Sequence, residues 1–345
     1  MHQKQLPKGK KVDFHSHAIL PSYVNGMKEL GIDPVAEEGF PLPAWSVENH
    51  LKFMADAGID YSILSLPTPH VFKGEASRSR RVVRAINEEM AELCRRFPDQ
   101  FGFVAALPLP DTEGALAEIC YAMEELGALG VKVTSNSAGV YLGNPQREEV
   151  FAELSRRKAL VILHPSPARQ LPRENIVTGR VMALFEYPAD TTRTVLNLLA
   201  SGTLARNPGI RLVVPHCGSF LPYMKSRGKA MFSMLAGMGM MEPVDMETEI
   251  GKLYFDLAGD PPARSNGYVA CHCGREAYPV RQRLPLRASS SAAEEKNGLG
   301  YGSGRERTAG TSVYDEPGMP AVNEGKCCTS EKVLMSIEIL ELKIR

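Results

Sequence analysis

The sequence predicts an α/β fold of the TIM (β/α)8 barrel type in which the eighth strand and helix are missing or garbled. Two observations predict this fold. Short β-rich runs alternate with longer amphipathic stretches from Lys11 to about Pro262, which is typical of βα units around a parallel sheet. In addition, 345 residues with 43% hydrophobic content suffice for a barrel with one large core.

The elements follow from local patterns. Compact apolar runs bounded by glycine, proline or polar residues predict seven strands: Val12–His17, Tyr61–Pro67, Phe101–Leu107, Gly130–Thr134, Leu160–His164, Arg211–His216 and Leu253–Ala258. Apolar residues at three- and four-residue spacing predict helices between them: Ser46–Ala57, Arg80–Arg96, Thr112–Leu126, Arg147–Arg157 and Thr191–Leu199. Asp111 and Asp190 are candidate caps of helix N-termini.

Composition narrows the class of partner. Lys+Arg and Asp+Glu both number 40, so no net charge favours nucleic acid or an anionic membrane, and a small molecule is the expected ligand. The sequence has no run of about 18 apolar residues and no signal-peptide pattern, which predicts a cytoplasmic protein. The seven cysteines are expected to be free thiols.

The chain divides into three parts by composition. Residues 1–10 are a basic N-terminal extension, and residues 11–262 are the predicted barrel. Residues 263–345 are rich in Ser, Arg, Gly and Ala, lack helical or strand periodicity before Val333–Ile344, and are predicted to be an aberrant, disordered tail. Such a tail would leave the parallel sheet with an open edge, which natural folds avoid.

A frameshift near residues 262–267 is our hypothesis for this conflict. Shifted by one base, the codons of Ala277–Lys296 can encode an apolar strand, a Gly-Ser-Asp-Phe-Pro turn and the start of a helix. That peptide has the features of the missing eighth strand. Sequencing the encoding DNA tests the hypothesis, because the shifted peptide must then be present in the other frame.

Histidines supply the strongest chemical signal. In Asp13–His17, with the sequence DFHSH, residues two apart on a strand point to the same face, so His15 and His17 can bind one cation. The alternative is a pair of hydrogen-bonded histidines near a strand end. Two further strands end in His164 and His216, at the C-terminal mouth where barrel active sites are built.

A catalytic zinc usually takes three protein ligands and keeps one position open for water or substrate. His15, His17 and His164 therefore suffice as metal ligands. His216 is left for acid–base chemistry, since an imidazole can transfer protons near neutral pH.

The chain resembles the amidohydrolase-related decarboxylases, which include the aminocarboxymuconate semialdehyde, γ-resorcylate and 6-methylsalicylate decarboxylases. The first-strand HxH motif, the Leu-His-Pro and Pro-His-Cys-Gly strand ends, and Glu186–Arg193 carry the resemblance, which spans roughly residues 11–262. It implies a single divalent metal, usually zinc and sometimes manganese, on the residues that match His15, His17 and His164. It also implies a small carboxylic acid substrate, His216 as the catalytic histidine, and a homodimer.

The resemblance further implies a fourth ligand, an aspartate in a Gly-Ser-Asp-Phe-Pro-like segment after the eighth strand. The chain as written lacks that segment; the aspartate survives only in the shifted frame, across the codons of Arg283 and Leu284. Asp256 and Asp260 belong to the seventh strand and its following loop, and neither is favoured as a substitute. Asp256 is expected to bond to neighbouring backbone groups.

Other candidates are set aside. Lys132 on the fourth strand suggests a carboxylated lysine in a two-metal site, but a lysine snorkelling at a strand end is commoner. Cys271–Cys273 with Cys327 and Cys328 lack zinc-knuckle spacing. His70 is placed after the second strand within reach of substrate, whereas His50 is expected to be solvated on a helix.

The sequence supports three alternative functions. The first is a metal-dependent, non-oxidative decarboxylase of a small aromatic or unsaturated carboxylic acid. The second is a metal-dependent hydrolase of a lactone or amide. The third is an inactive remnant or binding subunit, because the metal-binding aspartate is absent. The sequence identifies neither the substrate nor the residues that bind it, since specificity in this fold depends on loops.

Overall fold

The structure, a computed structural model, describes residues 6–7, 10–168, 181–256 and 258. Several predictions lie outside the described residues. These are the aberrant tail, the frameshifted segment, the eighth strand, Asp260 and the cysteine-rich segments.

Seven parallel strands form the frame, and a short antiparallel hairpin follows the fourth of them. The strands of the described residues are β1 Val12–His17, β2 Tyr61–Ser65, β3 Phe101–Phe103, β4 Gly130–Thr134, β5 Asn136–Ser137, β6 Val140–Tyr141, β7 Leu160–His164, β8 Arg211–Val214 and β9 Tyr254–Phe255.

Helices lie between the strands. Their bounds are α1 Pro21–Leu30, α2 Pro34–Glu38, α3 Val47–Ala57, α4 Ala76–Arg96, α5 Thr112–Glu124, α6 Glu148–Arg156, α7 Glu186–Ala200, α8 Thr203–Arg206, α9 Leu221–Gly237 and α10 Met246–Gly251, with 3-10 turns at Pro145–Arg147, Met182–Leu184 and His216–Gly218. None of these helices combines the length and apolar content that a membrane crossing requires.

The strands pair in chain order. One parallel sheet has the order β1-β2-β3 and a second has the order β4-β7-β8-β9. A bridge between Ala105 and Val131 joins β3 to β4, so all seven parallel strands follow one another around one curved sheet. This is the arrangement that the alternating pattern predicted, and the seven predicted strands are all confirmed.

Alternation along the strands separates two layers. On β7, Leu160 and Ile162 belong to a small apolar cluster that fills the inside of the sheet. The cluster also contains residues of β2 and β8 and Leu129, which directly precedes β4. Val161 and Leu163 belong instead to the larger core between the sheet and its helices. Because successive residues on a strand face opposite sides, His164 continues the inner row at the C-terminal end of β7.

The structure shortens four predicted strands and corrects one cap. β2 ends at Ser65, β3 at Phe103 and β8 at Val214, and β9 spans only Tyr254–Phe255. Pro67 and Pro215 closely follow the ends of β2 and β8, and proline has no backbone N–H to donate to a neighbouring strand. Asp111 caps α5, accepting a hydrogen bond from the Gly114 N–H at 3.1 Å. Asp190 is not a cap, because α7 begins at Glu186 and places Asp190 inside the helix.

The inner layer should contribute strongly to stability. We expect Leu160→Ala to lower the free energy of unfolding by about 2–5 kcal/mol, because Leu160 is 5% exposed and its truncation leaves a cavity. Leu184→Ala is the matched control, since Leu184 is 59% exposed and its loss should cost no more than about 0.5 kcal/mol. Equal losses in chemical denaturation would contradict the assignment of Leu160 to a packed interior.

Candidate metal centre

The predicted histidines meet at the C-terminal ends of their strands. Ring centroids of His15 and His17 lie 4.9 Å apart, and that of His164 lies 5.2 Å from His15 and 4.9 Å from His17. One ligand nitrogen from each ring lies within 4.8 Å of the other two, which is close enough for one ion. His216 stands beside this triad, 5.1 Å from His15 between ring centroids.

Burial and nearby charges determine the protonation of the triad, which consists of His15, His17 and His164. Burial lowers the pKa of His17 and of His164 well below the usual histidine value, and the positive charges nearby lower both further. For His15 burial also acts to lower the pKa, but the attraction of Asp256 outweighs it and raises the pKa. His17 and His164 are thus neutral imidazoles near pH 7, the form that binds a metal.

The outer nitrogen of each ring has an acceptor. His15 Nδ1 donates to Asp256 Oδ2 at 2.7 Å, and His164 Nδ1 donates to the Pro165 carbonyl at 3.0 Å. Ser65 Oγ lies 3.3 Å from His17 Nδ1 and gives its own hydrogen to the Ser16 carbonyl, so it accepts from His17.

With Nδ1 of all three rings engaged as a donor, the lone pair of each neutral ring lies on Nε2, the atom that would bind a cation. The donor set fits one divalent metal with an open position, as three imidazoles do in catalytic zinc sites.

His216 lies in an unusual turn. It has a φ of +55°, and Cys217 and Ser219 also have positive φ values. Its Nδ1 is buried and has no hydrogen-bond partner among the described residues. Burial, reinforced by the charge of His15, lowers the pKa of His216 to about 4. A neutral ring with an unused nitrogen beside the triad is suited to accept or donate a proton.

Asp256 lies at the end of β9, fully buried. As the sequence predicted, it bonds to backbone: its Oδ1 accepts from the N–H groups of His216 at 2.8 Å and Ala258 at 3.1 Å. The sequence did not indicate its bond to His15. Because both oxygens are occupied in this way, the metal-binding group in the described part of the chain consists of the three histidines without Asp256.

Lys132 is buried in the barrel instead of extending to solvent. Its amine donates to the Pro67 carbonyl at 3.1 Å, and burial lowers its pKa to about 7 although Glu38 acts to raise it. Glu38 is buried too, and burial raises its pKa to about 7. No sequence pattern pointed to Glu38, which ends the short helix α2. Among the described residues Lys132 bonds to a backbone carbonyl, and this contact does not favour the two-metal alternative.

The loop after β2 is fixed by several elements. Thr68 Oγ1 and the Tyr187 hydroxyl are hydrogen-bonded at 2.9 Å, and Tyr23 donates to the Pro69 carbonyl at 2.8 Å. His70 Nε2 bonds to the Leu109 carbonyl at 2.6 Å. This bond gives His70 a structural role, so its predicted approach to substrate remains without support.

Asp190, which the sequence predicted to cap a helix, is instead a buried hub of hydrogen bonds. It accepts hydrogen bonds from the Asn136 amide at 3.0 Å and the Tyr141 hydroxyl at 2.5 Å, and it also contacts Ser135 and Arg193. Since Ser135 N donates to the His164 carbonyl at 2.9 Å, the hub supports the strand end that carries His164.

The position of His50 contradicts the prediction that its side chain is solvated. His50 is buried, and its Nε2 lies 3.1 Å from Ser16 Oγ and 3.3 Å from Ser62 Oγ, while the Trp45 indole donates to Nδ1. The expectation of a solvated side chain was wrong because α3 turns this face toward the strands.

A groove of about 680 Å³ lies elsewhere, lined by Leu20, Trp45, Glu89, Arg96 and neighbouring residues. None of the four clustered histidines lines it. The chemistry of the site therefore belongs to the strand ends and not to this groove.

A barrel of parallel strands with convergent histidines at its C-terminal mouth defines a class of metal-dependent enzyme. The sequence profile of the amidohydrolase family matches residues 12–266. The chain belongs to this family, which confirms the resemblance found from the sequence motifs and the TIM-barrel fold class.

Two relatives show where in the family it falls. The decarboxylase YanB of Aspergillus niger is 34% identical over 257 residues, which cover 72% of this chain and 69% of the relative. The 6-methylsalicylic acid decarboxylase AcuB of Aspergillus aculeatus is 33% identical over 259 residues, covering 72% and 76%.

Solved structures agree on the fold. A protein described as amidohydrolase II is 34% identical and superposes with a TM-score of 0.70, covering 77% of this chain and 84% of the other. The 5-carboxyvanillate decarboxylase of Novosphingobium aromaticivorans, complexed with manganese and 4-hydroxy-3-methoxy-5-nitrobenzoic acid, is 19% identical with a TM-score of 0.72, covering 80% and 86%.

The buried Lys132 should make stability depend on pH. Its pKa is about 7 in the folded protein and 10.5 for an ordinary lysine, so the unfolded chain binds more protons between these values. The folded protein should therefore lose stability as the pH falls from about 10.5 to about 7. We expect Lys132→Met to unfold less readily than the parent protein at pH 7, by a few kcal/mol at most, on the order of the pKa difference.

Chemical denaturation of both proteins at about pH 7 and about pH 9.5 measures this effect. The advantage of the variant should shrink at the higher pH, where the amine is neutral in the folded protein. An advantage that does not change with pH would contradict the charge assignment of Lys132.

Proposed function

We propose that this chain is a metal-dependent, non-oxidative decarboxylase of a small aromatic carboxylic acid with a hydroxyl group beside the carboxylate. One observation carries the proposal: His15, His17 and His164 can each offer a ring nitrogen to one ion, and beside them lies His216, whose buried Nδ1 has no hydrogen-bond partner among the described residues. Membership of a family whose relatives decarboxylate 6-methylsalicylic acid gives this site its reaction.

His15, His17 and His164 would hold the metal. A divalent ion bound there would supply a Lewis acid for the substrate's carboxylate and hydroxyl oxygens. The ion's identity is part of the proposal: zinc is suited to three imidazoles, and manganese is supported by the related 5-carboxyvanillate decarboxylase. The fourth ligand that the resemblance adds, an aspartate in a Gly-Ser-Asp-Phe-Pro-like segment, is absent from the chain as written.

His216 would act as the general acid. Its ring is neutral near pH 7, but an anionic substrate next to it would raise its pKa and favour protonation. The ring then gives its proton to the substrate carbon that bears the carboxylate. The carbon–carbon bond breaks, its electron pair stays with the aromatic ring after protonation, and carbon dioxide leaves, so no oxidant or reductant is needed.

A cytoplasmic location, a homodimer and a lack of nucleic-acid partners complete the proposal. The balance of 40 basic and 40 acidic side chains supports the third, and the lack of a run of about 18 apolar residues in the sequence supports the first. The dimer rests on the family resemblance alone.

A hydrolase of a lactone or amide is the second candidate, because the same metal can activate water against a carbonyl. No residue of the described site favours it over decarboxylation. The inactive remnant is the third candidate, and it depends on whether the three histidines bind metal without the fourth ligand.

Product analysis tests the reaction. We expect the metal-loaded protein to release labelled carbon dioxide from carboxyl-labelled 6-methylsalicylate and to leave a cresol, because the proposed chemistry replaces the carboxylate by hydrogen. A simple aromatic lactone is the comparison substrate. Lactone opening without carbon dioxide release from any 2-hydroxybenzoate would overturn the proposal in favour of the hydrolase.

Two histidine variants separate metal binding from proton transfer. We expect His216→Asn to keep its metal and to lose activity by roughly 10²–10⁴-fold, the usual contribution of a general acid. His164→Asn should lose both, because it removes a ligand. The measurements are metal content after gel filtration and the rate of carbon dioxide release. Unchanged activity in His216→Asn would contradict its assigned role.

The fourth ligand is tested by restoring the reading frame near residue 265. We expect the restored protein to hold about one equivalent of metal, and the chain as given to bind it more weakly, because it has lost an anionic ligand. Mass spectrometry of both purified proteins measures metal content. Equal binding by the two would show that the aspartate is dispensable.

A further inference from the structure

We propose that Asp256 is a positioning residue of the metal centre, which fixes the tautomer of His15 and holds the backbone of His216 in place. This inference rests on the proposed function only in treating His15 as a metal ligand. Asp256 directly follows β9, far from both histidines in sequence, and its side chain is fully buried between them. One carboxylate therefore contacts both a candidate ligand and the candidate general acid.

The first oxygen acts on His15. Oδ2 lies 2.7 Å from His15 Nδ1, the length of a charge-assisted hydrogen bond. A carboxylate only accepts hydrogen bonds, so the proton of a neutral His15 is held on Nδ1. Nε2 then carries the lone pair, which matches the orientation of His17 and His164 at the centre of the triad.

The second oxygen acts on the turn that carries His216. Oδ1 accepts from the His216 N–H at 2.8 Å and from the Ala258 N–H at 3.1 Å. His216 has a φ of +55°, a left-handed conformation that is unfavourable for a residue with a side chain. The bond to the carboxylate helps to keep the backbone in this conformation, so the His216 ring stays beside the triad.

The backbone of Asp256 makes the link rigid. Its N–H donates to the Val214 carbonyl at 3.2 Å, and its carbonyl accepts from the Cys217 N–H at 3.0 Å. Asp256 is thus bonded on both sides of the His216 turn. Movement of the carboxylate away from His15 would require these backbone bonds to move as well.

Asparagine is the informative replacement. It has nearly the shape of aspartate but one acceptor oxygen in place of two, so it cannot accept from both His15 and His216. One of the two contacts must fail, whichever way the amide turns. Glu118→Gln is the matched control, because Glu118 is also buried and accepts hydrogen bonds on both carboxylate oxygens, from Arg84 and Asn87, but is bonded to none of the four histidines.

The first readout is the tautomer of His15 in the metal-free parent protein, from the ¹⁵N chemical shifts of its ring at a pH where the ring is neutral. His15→Asn identifies the signals. We expect Nδ1 to carry the proton and Nε2 to be unprotonated. A proton on Nε2 would overturn the proposal without any variant that might fail to fold.

The second readout is the dissociation constant for zinc, measured by calorimetry. We expect Asp256→Asn to weaken binding about 10- to 100-fold, the usual effect of losing the partner of a metal-bound histidine, and to mix the His15 tautomers. Glu118→Gln should leave both unchanged even if it melts earlier.

Zinc affinity and His15 tautomer in Asp256→Asn that match the parent protein would overturn the proposal. Neither readout uses decarboxylation. A protein that passes both tests but releases no carbon dioxide would contradict the proposed function and leave the role of Asp256 standing.

Discussion

The site depends on one constraint: three imidazoles, two buried and one partly buried, lie within a few ångströms of each other and must all direct a lone pair to the same point. Burial disfavours protonation of His17 and His164, since a charged ring in this environment has lost its water. Neutrality alone does not orient a ring, because either nitrogen can carry the proton. The acceptors at Asp256, Ser65 and the Pro165 carbonyl supply that orientation.

The barrel makes this constraint attainable. Parallel strands bring their C-terminal ends to one mouth, and alternation places a histidine of β1 and of β7 on the inner face there. Loops then fix the strand ends, as the Asp190 hub does for the end of β7. Asp256 gives β9 a part in the same site, so the seventh barrel strand contributes to metal binding without contributing a ligand.

Much of this arrangement could be predicted from the sequence. Strands and convergent histidines follow from local patterns, since apolar runs and a two-residue spacing are properties of the chain itself. The features that depend on how elements pack against each other could not be predicted. Whether His50 faces water or the strands depends on how α3 packs. Asp190 is a hub and not a cap because α7 begins before it, and that start depends on contacts with the β5–β6 hairpin. The bond from Asp256 to His15 spans 241 residues, so no local pattern reveals it.

The most direct test of the account is a crystal structure of the protein soaked with manganese, with anomalous scattering used to locate the ion. The account predicts one strong peak at the strand ends, bound by Nε2 of His15, His17 and His164, with Nδ1 of His15 still bonded to Asp256. An ion bound through Nδ1 of His15, or a peak away from the three histidines, would contradict it.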